Sequence, residues 1–239
     1  MLPLREWLAT EEIQKIKAEG PGPLVTKTFF RDPFRDIHRD TTAMYAPADG
    51  IILYALERIK PTDPIVEIKG RKFDVREALD DPEYDTPSLV IGIFMTQYDV
   101  HINRMPTDGY LVNVGFTPFL FTPNVSMVLE EKDILENAVP QVKTLDYLFQ
   151  NERQIVKVYN PDMKGSYYLI QIAEREVNTI LNWGIGDHLS QGERYGLVRW
   201  GSQVDLIIPL NGKIKYEILA KKNHHVEAGI DEIIRIINP

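Results

Sequence analysis

From Met44 onward the chain is a succession of short apolar runs bounded by glycine, proline and aspartate. Gly50 to Leu56, Ile65 to Ile68, Ser88 to Met95, Gly109 to Phe116, Ile155 to Tyr159 and Tyr167 to Ile172 have strand length and are rich in β-branched and aromatic residues. Arg194 to Trp200, Val204 to Pro209, Lys213 to Leu219 and Glu232 to Ile237 continue the pattern. Two stretches read as helix instead. Leu4, Trp7, Leu8, Ile13 and Ile16 recur at helical intervals, predicting an amphipathic helix from Leu4 to Ala18 with an internal cap at Thr10 and an end at Gly20-Pro21. Val177, Ile180 and Leu181 share a face of a second helix, predicted from Ala173 to Trp183. Prolines 118, 123 and 140 surround a charged stretch, Glu130 to Asp133, and break the rhythm between 117 and 150. The fold class is α+β and strand-rich, with a few helices.

At 239 residues and 44% hydrophobic content the chain can fill a sizeable core. A net charge of −8 argues against a nucleic-acid partner, which would call for a basic face. Arg31, Arg35 and Arg39 nevertheless recur every four residues after Phe29-Phe30; on a helix they would share a face, but Pro33 opposes a continuous helix. Arg39 reads as a solvated surface residue. Without cysteine, disulfides, thiolate metal sites and thiol nucleophiles are removed from consideration. No stretch reaches the roughly 18 apolar residues of a membrane span, and the N-terminus lacks the apolar core of a signal peptide. His224-His225 has no third ligand at metal spacing and reads as a surface turn, so no metal is expected.

Gly201-Ser202 is the most informative pair in the chain. On a tight turn between apolar stretches, the serine hydroxyl can approach the carbonyl before it, because glycine offers no side chain to block the attack and accepts strained backbone angles. Most such pairs are inert hairpin tips, so the weight comes from its companions. These are Phe29-Phe30-Arg31-Asp32-Pro33-Phe34-Arg35, Ala46-Pro47-Ala48-Asp49-Gly50, and Asp99-Val100-His101-Ile102-Asn103-Arg104-Met105-Pro106, with Asn151-Glu152-Arg153 and Gln171-Ile172-Ala173. Together they resemble the phosphatidylserine decarboxylase family, in its small prokaryotic and archaeal-type branch, from about Thr28 to the C-terminus. The resemblance divides the chain into an N-terminal helix and linker, 1–27, and a catalytic domain, 28–239.

The resemblance implies a pyruvoyl enzyme. Ser202 would attack the Gly201 carbonyl, and elimination and hydrolysis would leave a pyruvoyl cofactor at position 202, an electron sink for decarboxylation. Asp49 and His101 match the family's acid and histidine, so the implied catalytic residues are Asp49, His101 and Ser202. Other branches carry a second histidine where this chain has Arg104, and arginine cannot act as a base. Arg104, Gln203 and Phe30 are the implied substrate contacts. The segments 186–192 and 225–229 look like the turns of lipoyl-type barrel sandwiches, without a carrier lysine. The implied activity is decarboxylation of phosphatidylserine or a related serine phospholipid, by a cytoplasmic protein peripheral to the inner face of the membrane and compatible with a homo-oligomer. Two other readings stand beside it: a decarboxylase of a free amino acid, and a non-cleaving relative acting as a binding or scaffold protein. The lipid reading expects Leu4, Trp7, Leu8, Ile13, Ile16, Phe29 and Phe30 to form an exposed apolar patch.

Overall fold

The structure is a computed structural model that describes all residues except 24–26, 29, 118–125, 141, 175–179, 200–201, 213 and 238–239. A nine-stranded sheet forms its spine, in the order Leu2–Pro3, His224–Val226, Gly50–Ile59, Ser88–Met95, Ser202–Pro209, Gly165–Ala173, Arg153–Asn160, Gly109–Thr117 and His188–Leu189. The pairings within it are antiparallel. The central strands Ser88–Met95 and Ser202–Pro209 read as near-continuous apolar runs because both faces of the sheet are covered. One face contributes Ile91, Ile93, Met95, Val204 and Leu206 to a first apolar cluster. The other contributes Val90, Phe94, Ile170 and Ile207 to a second. The sheet is open, with Leu2–Pro3 and His188–Leu189 at its edges, and no closed barrel forms among the described residues.

The fold is α+β and strand-rich, and most predicted strands lie within a residue or two of their observed bounds. Arg194–Val198 pairs with Ile102–Arg104 on one side and Ile180–Asn182 on the other. This corrects the helix expected over Ala173 to Trp183. Ala173 ends a strand, Ile180 and Leu181 lie in another opposite Val198 and Leu197, and Val177 falls outside the described residues. Ile180 and Leu181 also fit a strand that alternates buried Ile180 with exposed Leu181, and a partner strand decides between the two readings.

The N-terminal helix is two helices, Leu4–Leu8 and Glu11–Glu19. Thr10 turns back instead of continuing, its backbone N–H and its hydroxyl both donating to the Trp7 carbonyl. Leu4, Trp7, Ile13 and Ile16 are buried in the second cluster, so these helices line the core and do not form the expected exposed patch; Phe29 lies outside the described residues. The 117–150 stretch supplies a helix, Val128–Asn137, and a 3-10 segment, Val142–Phe149, that place Ile134, Leu145 and Tyr147 in the same cluster.

A polar network crosses this second cluster. The Tyr147 hydroxyl donates to Gln203 Oε1 at 2.6 Å, Gln203 Nε2 donates to Asp205 Oδ1 at 2.6 Å and to the Tyr54 oxygen at 2.7 Å, and Tyr54 donates to Asp205 Oδ2 at 2.8 Å. Burial pushes the Asp205 carboxyl up from 3.8 to about 6, against the pull of its two donors and of Arg153. The folded chain therefore holds a proton between pH 3.8 and 6 that the unfolded chain has released. Stability is lost as pH rises through that window, by about 3 kcal/mol from this group. Asp205→Asn should gain on the wild type by most of that amount, about 2 kcal/mol, between pH 4 and pH 7 in urea denaturation. Parallel pH profiles for the two proteins would contradict the assignment.

Candidate active site

Ser202 opens the central strand Ser202–Pro209, opposite Met95 on one neighbour and Ala173 on the other. Its side chain is fully buried. Alternation places it on the same face as Val204 and Leu206, with Gln203 and Asp205 on the opposite face. Gly201, the other half of the expected cleavage site, lies outside the described residues.

His101 reaches the same end of the sheet from the loop that follows Ser88–Met95. It is fully buried, with Nε2 3.0 Å from the Thr96 carbonyl and Nδ1 3.1 Å from the Val198 carbonyl. Thr96 follows the residue opposite Ser202, and Val198 ends the strand four positions before it. The ring thus bridges the end of the strand Arg194–Val198 and the start of the loop that follows Ser88–Met95. Desolvation lowers its pKa from the ordinary histidine value, against the Thr96 and Val198 carbonyls and the charges of Asp99 and Asp49. A neutral imidazole carries one N–H, so only one of its two carbonyl contacts is then a hydrogen bond. Taking up a proton makes both into hydrogen bonds, which suits the ring to accept one briefly.

Asp49 is placed by the residue after it. Gly50 has φ +150°, and a Cβ there would lie 2.2 Å from the Phe94 carbonyl oxygen, so the strand can start this close to its neighbour only with glycine. The Asp49 carboxylate is gripped by Arg35 through two bonds of 2.7 and 2.6 Å and by the Ala228 N–H at 2.8 Å. Burial alone would lower the pKa of Arg35; the hydrogen bonds and charge of Asp49 outweigh it and raise it. Asp49 therefore acts on His101 as a nearby buried charge and not through a direct hydrogen bond.

The 31–35 segment holds this end of the molecule together. It is irregular, as Pro33 suggests, and Arg39 beyond it is exposed. The Arg31 guanidinium donates to the Thr28 carbonyl at 2.8 Å and the Tyr98 carbonyl at 2.7 Å, pinning the loop that carries His101. Asp32 pairs with Arg104 at 3.1 Å and Arg194 at 2.7 Å. Arg104 is buried and also donates to the Gly192 carbonyl at 2.9 Å. Both ends of the Gln203 amide are engaged by the network around Asp205. Phe30 is 52% exposed and Phe34 92%. A pocket of about 210 Å³ lies between Phe34, Arg31, Arg35, Asp49 and Trp7, with His225 on its wall.

Two residues of this region were missed or misread in the sequence. His225 is no surface turn: it sits in the strand His224–Val226, buried, with Nε2 2.7 Å from Asp99 Oδ1 and its ring stacked on Trp7 at 4.3 Å. Asp99 stood within the His101 segment without a role. The alternation His224 out, His225 in was the available signal, and the run of charge around it, Lys221 and Lys222, obscured it. Among the described residues no group of three or more potential metal ligands is present.

The family model described as phosphatidylserine decarboxylase matches residues 24–233. The phosphatidylserine decarboxylase proenzyme of Burkholderia lata is 30% identical over 191 residues, covering 80% of this chain and 71% of that protein. The protein of the same description from Burkholderia multivorans gives the same figures. That of Cupriavidus pinatubonensis is 29% identical over 208 residues, covering 86% of this chain and 78% of its own.

The Arg35–Asp49 pair generates a stability test. Both side chains are buried, at 6% and 5% exposure, so removing one partner strands the other charge. Arg35→Ala is expected to cost about 3–5 kcal/mol in urea denaturation. The double variant Arg35→Ala with Asp49→Asn should recover a large part of that loss. Equal losses in the single and double variants would show that the pair is not the source.

Proposed function

Because the chain belongs to the phosphatidylserine decarboxylase family, we propose that it is a proenzyme that cleaves itself between Gly201 and Ser202 and then decarboxylates phosphatidylserine to the ethanolamine lipid. It acts as a carboxy-lyase. The observation that carries this reading is the burial of Ser202 at the start of the central strand, with His101 bridging Val198, four positions before it, and Thr96, next to its cross-strand partner Met95.

In the proposed maturation, Ser202 Oγ attacks the Gly201 carbonyl carbon and gives up its proton, and the peptide nitrogen leaves with a proton, so an ester replaces the amide. His101 is the group placed to carry that proton, since its ring gains a hydrogen bond by accepting it. Loss of the residue 202 α-proton and breakage of the Cβ–O bond then release Gly201 as a carboxylate. Hydrolysis with loss of ammonia leaves the pyruvoyl group on the fragment that begins at residue 202. Serine fits this group because it provides both the nucleophile and the oxygen that departs. Once formed, the group supplies an electron sink for the decarboxylation. The chain's own part is to exclude water around residue 202, to hold a proton at His101 and to keep the Asp49 charge nearby.

The lipid substrate places the protein against a bilayer. No helix among the described residues is long and apolar enough to cross a membrane. We assign the bilayer contact to Phe34, exposed on the rim of the pocket of Arg31, Arg35 and Asp49, and to Phe30, exposed one residue before Arg31. This reading of Phe30 takes over from the N-terminal helices, whose apolar faces are buried. The same proposal extends to the core. Gly192 and Gly229 meet at Ile37, whose side chain fills the space a Cβ at either would need, so the segments that carry them lie together as a lipoyl-like sandwich would have them.

Intact-mass measurement tests the maturation. Purified wild type should yield residues 1–201 and a short fragment with a blocked N-terminus, whereas Ser202→Ala should yield one intact, inactive chain. Processed and active Ser202→Ala protein would remove the central claim. For the substrate, the wild type should release carbon dioxide from phosphatidylserine vesicles and not from free serine. Phe30→Asp with Phe34→Asp should reduce vesicle co-sedimentation and lipid turnover together. Turnover of free serine with vesicles ignored would overturn the lipid assignment while leaving the maturation in place.

A further inference from the structure

We infer that His225 is a positioning residue for His101, acting through Asp99 and Thr96. The inference rests on the maturation proposed above, in which His101 carries the proton, and it concerns a histidine for which that chemistry has no use.

The connection is continuous. Asp99 is buried, and its carboxylate only accepts hydrogen bonds, so His225 Nε2 is the donor in their 2.7 Å contact. The other carboxylate oxygen accepts from the Thr96 N–H at 2.7 Å and from the Thr96 hydroxyl at 2.8 Å. The Asp99 N–H returns to the Thr96 carbonyl at 3.0 Å. That same carbonyl is the one 3.0 Å from His101 Nε2. Burial opposes the charge on Asp99, but His225 and the Thr96 donors outweigh it and hold its carboxyl below the ordinary aspartate range.

His225 is clamped from the far side. The Trp7 ring lies parallel to it, 4.3 Å between centroids and 9° between planes. The N-terminal helix Leu4–Leu8 thereby holds the imidazole against Asp99, and the strand Leu2–Pro3 pairs with the strand that carries it. The charged groups around His225 are Asp99 on the loop, Glu227 two positions along its own strand end, and Arg31, Arg35, Asp49 and Glu12 around the adjoining pocket.

His225 does not touch the reacting atoms. Cross-strand register places it in a row with Ile51, Phe94 and Gln203, three strand spacings or about 14 Å from the central strand. That row lies on the face of the sheet opposite Ser202. What His225 controls is the Thr96–His101 loop, tying it to a strand 126 residues away in sequence.

The test compares His225→Gln, which keeps an N–H donor toward Asp99, with His225→Leu, which keeps apolar contact with Trp7 but cannot donate. His225→Leu should slow fragment formation about tenfold or more through misplacement of His101 and should shift its pH profile, while His225→Gln should stay near wild type. Asp99→Asn, close to isosteric, takes over the comparison if His225→Leu does not fold. A folded variant with wild-type rate and pH profile would overturn the inference. In the uncleavable Ser202→Ala background, nitrogen-15 NMR of His101 reads the coupling without maturation. His101 should change its titration midpoint or tautomer in His225→Leu or Asp99→Asn, and unchanged shifts would overturn the inference. Absence of cleavage in the wild type would count against the maturation alone.

Discussion

The site depends on the register of one strand. Ser202–Pro209 is laddered on both sides, from Ser202 opposite Met95 to Pro209 opposite Ser88, and from Ser202 opposite Ala173 to Ile207 opposite Tyr168. A slip of one residue would turn Ser202 to the other face of the sheet and bring Gln203 into its place. Apolar residues line both faces of this strand, so hydrophobic pattern specifies its register only weakly. The buried contacts of Gln203 and Asp205 with Tyr54 and Tyr147 remove that freedom, because a shifted strand would leave four buried polar side chains without their partners. Tyr147 belongs to the 117–150 stretch, which gives that stretch a physical purpose: it supports from behind the strand whose first residue is Ser202.

Electrostatics fix the rest of the site around an irregular segment. Residues 31–35 have no ladder of backbone hydrogen bonds to hold them, and their charged side chains do the work instead. Arg31 fastens the His101 loop, Asp32 joins two arginines from different strands, and Arg35 holds Asp49 through a forked pair. Arg104 cannot take a proton from anything, and its place between Asp32 and the Gly192 carbonyl makes it a strut in this arrangement. In the maturation proposed above, acid–base duty then falls to the His101 imidazole.

The central strands were legible because their apolar runs are long and bounded by turn residues; Ser88–Met95 has its predicted bounds. The N-terminal helices were legible as an apolar stripe, but a stripe says only that something covers it. Here the cover is the protein's own sheet. Ile180 and Leu181 were misassigned because so short a segment satisfies both periods, and only pairing with Leu197 and Val198 distinguishes them. Asp49, His101 and Ser202 were singled out through the family resemblance of their local segments. The links among them were not: Arg35 to Asp49, and His225 to Asp99 across 126 positions, are products of tertiary packing that no local pattern encodes.

Burial of the site also bears on which reaction can follow the first attack. An ester between Gly201 and Ser202 has two fates, hydrolysis to an ordinary serine terminus or elimination to the precursor of the pyruvoyl group. Hydrolysis at that stage is a dead end, because it returns a free serine hydroxyl, a far poorer leaving group than the Gly201 carboxylate. Ser202 and His101 both have no solvent exposure in the uncleaved chain, so bulk water has no direct approach to the ester. The same enclosure lowers the pKa of His101 and so favours the neutral ring that the proposed maturation needs. In the proposed maturation a closed site around residue 202 serves two ends at once: it favours the neutral imidazole, and it keeps bulk water from the ester until elimination has taken place.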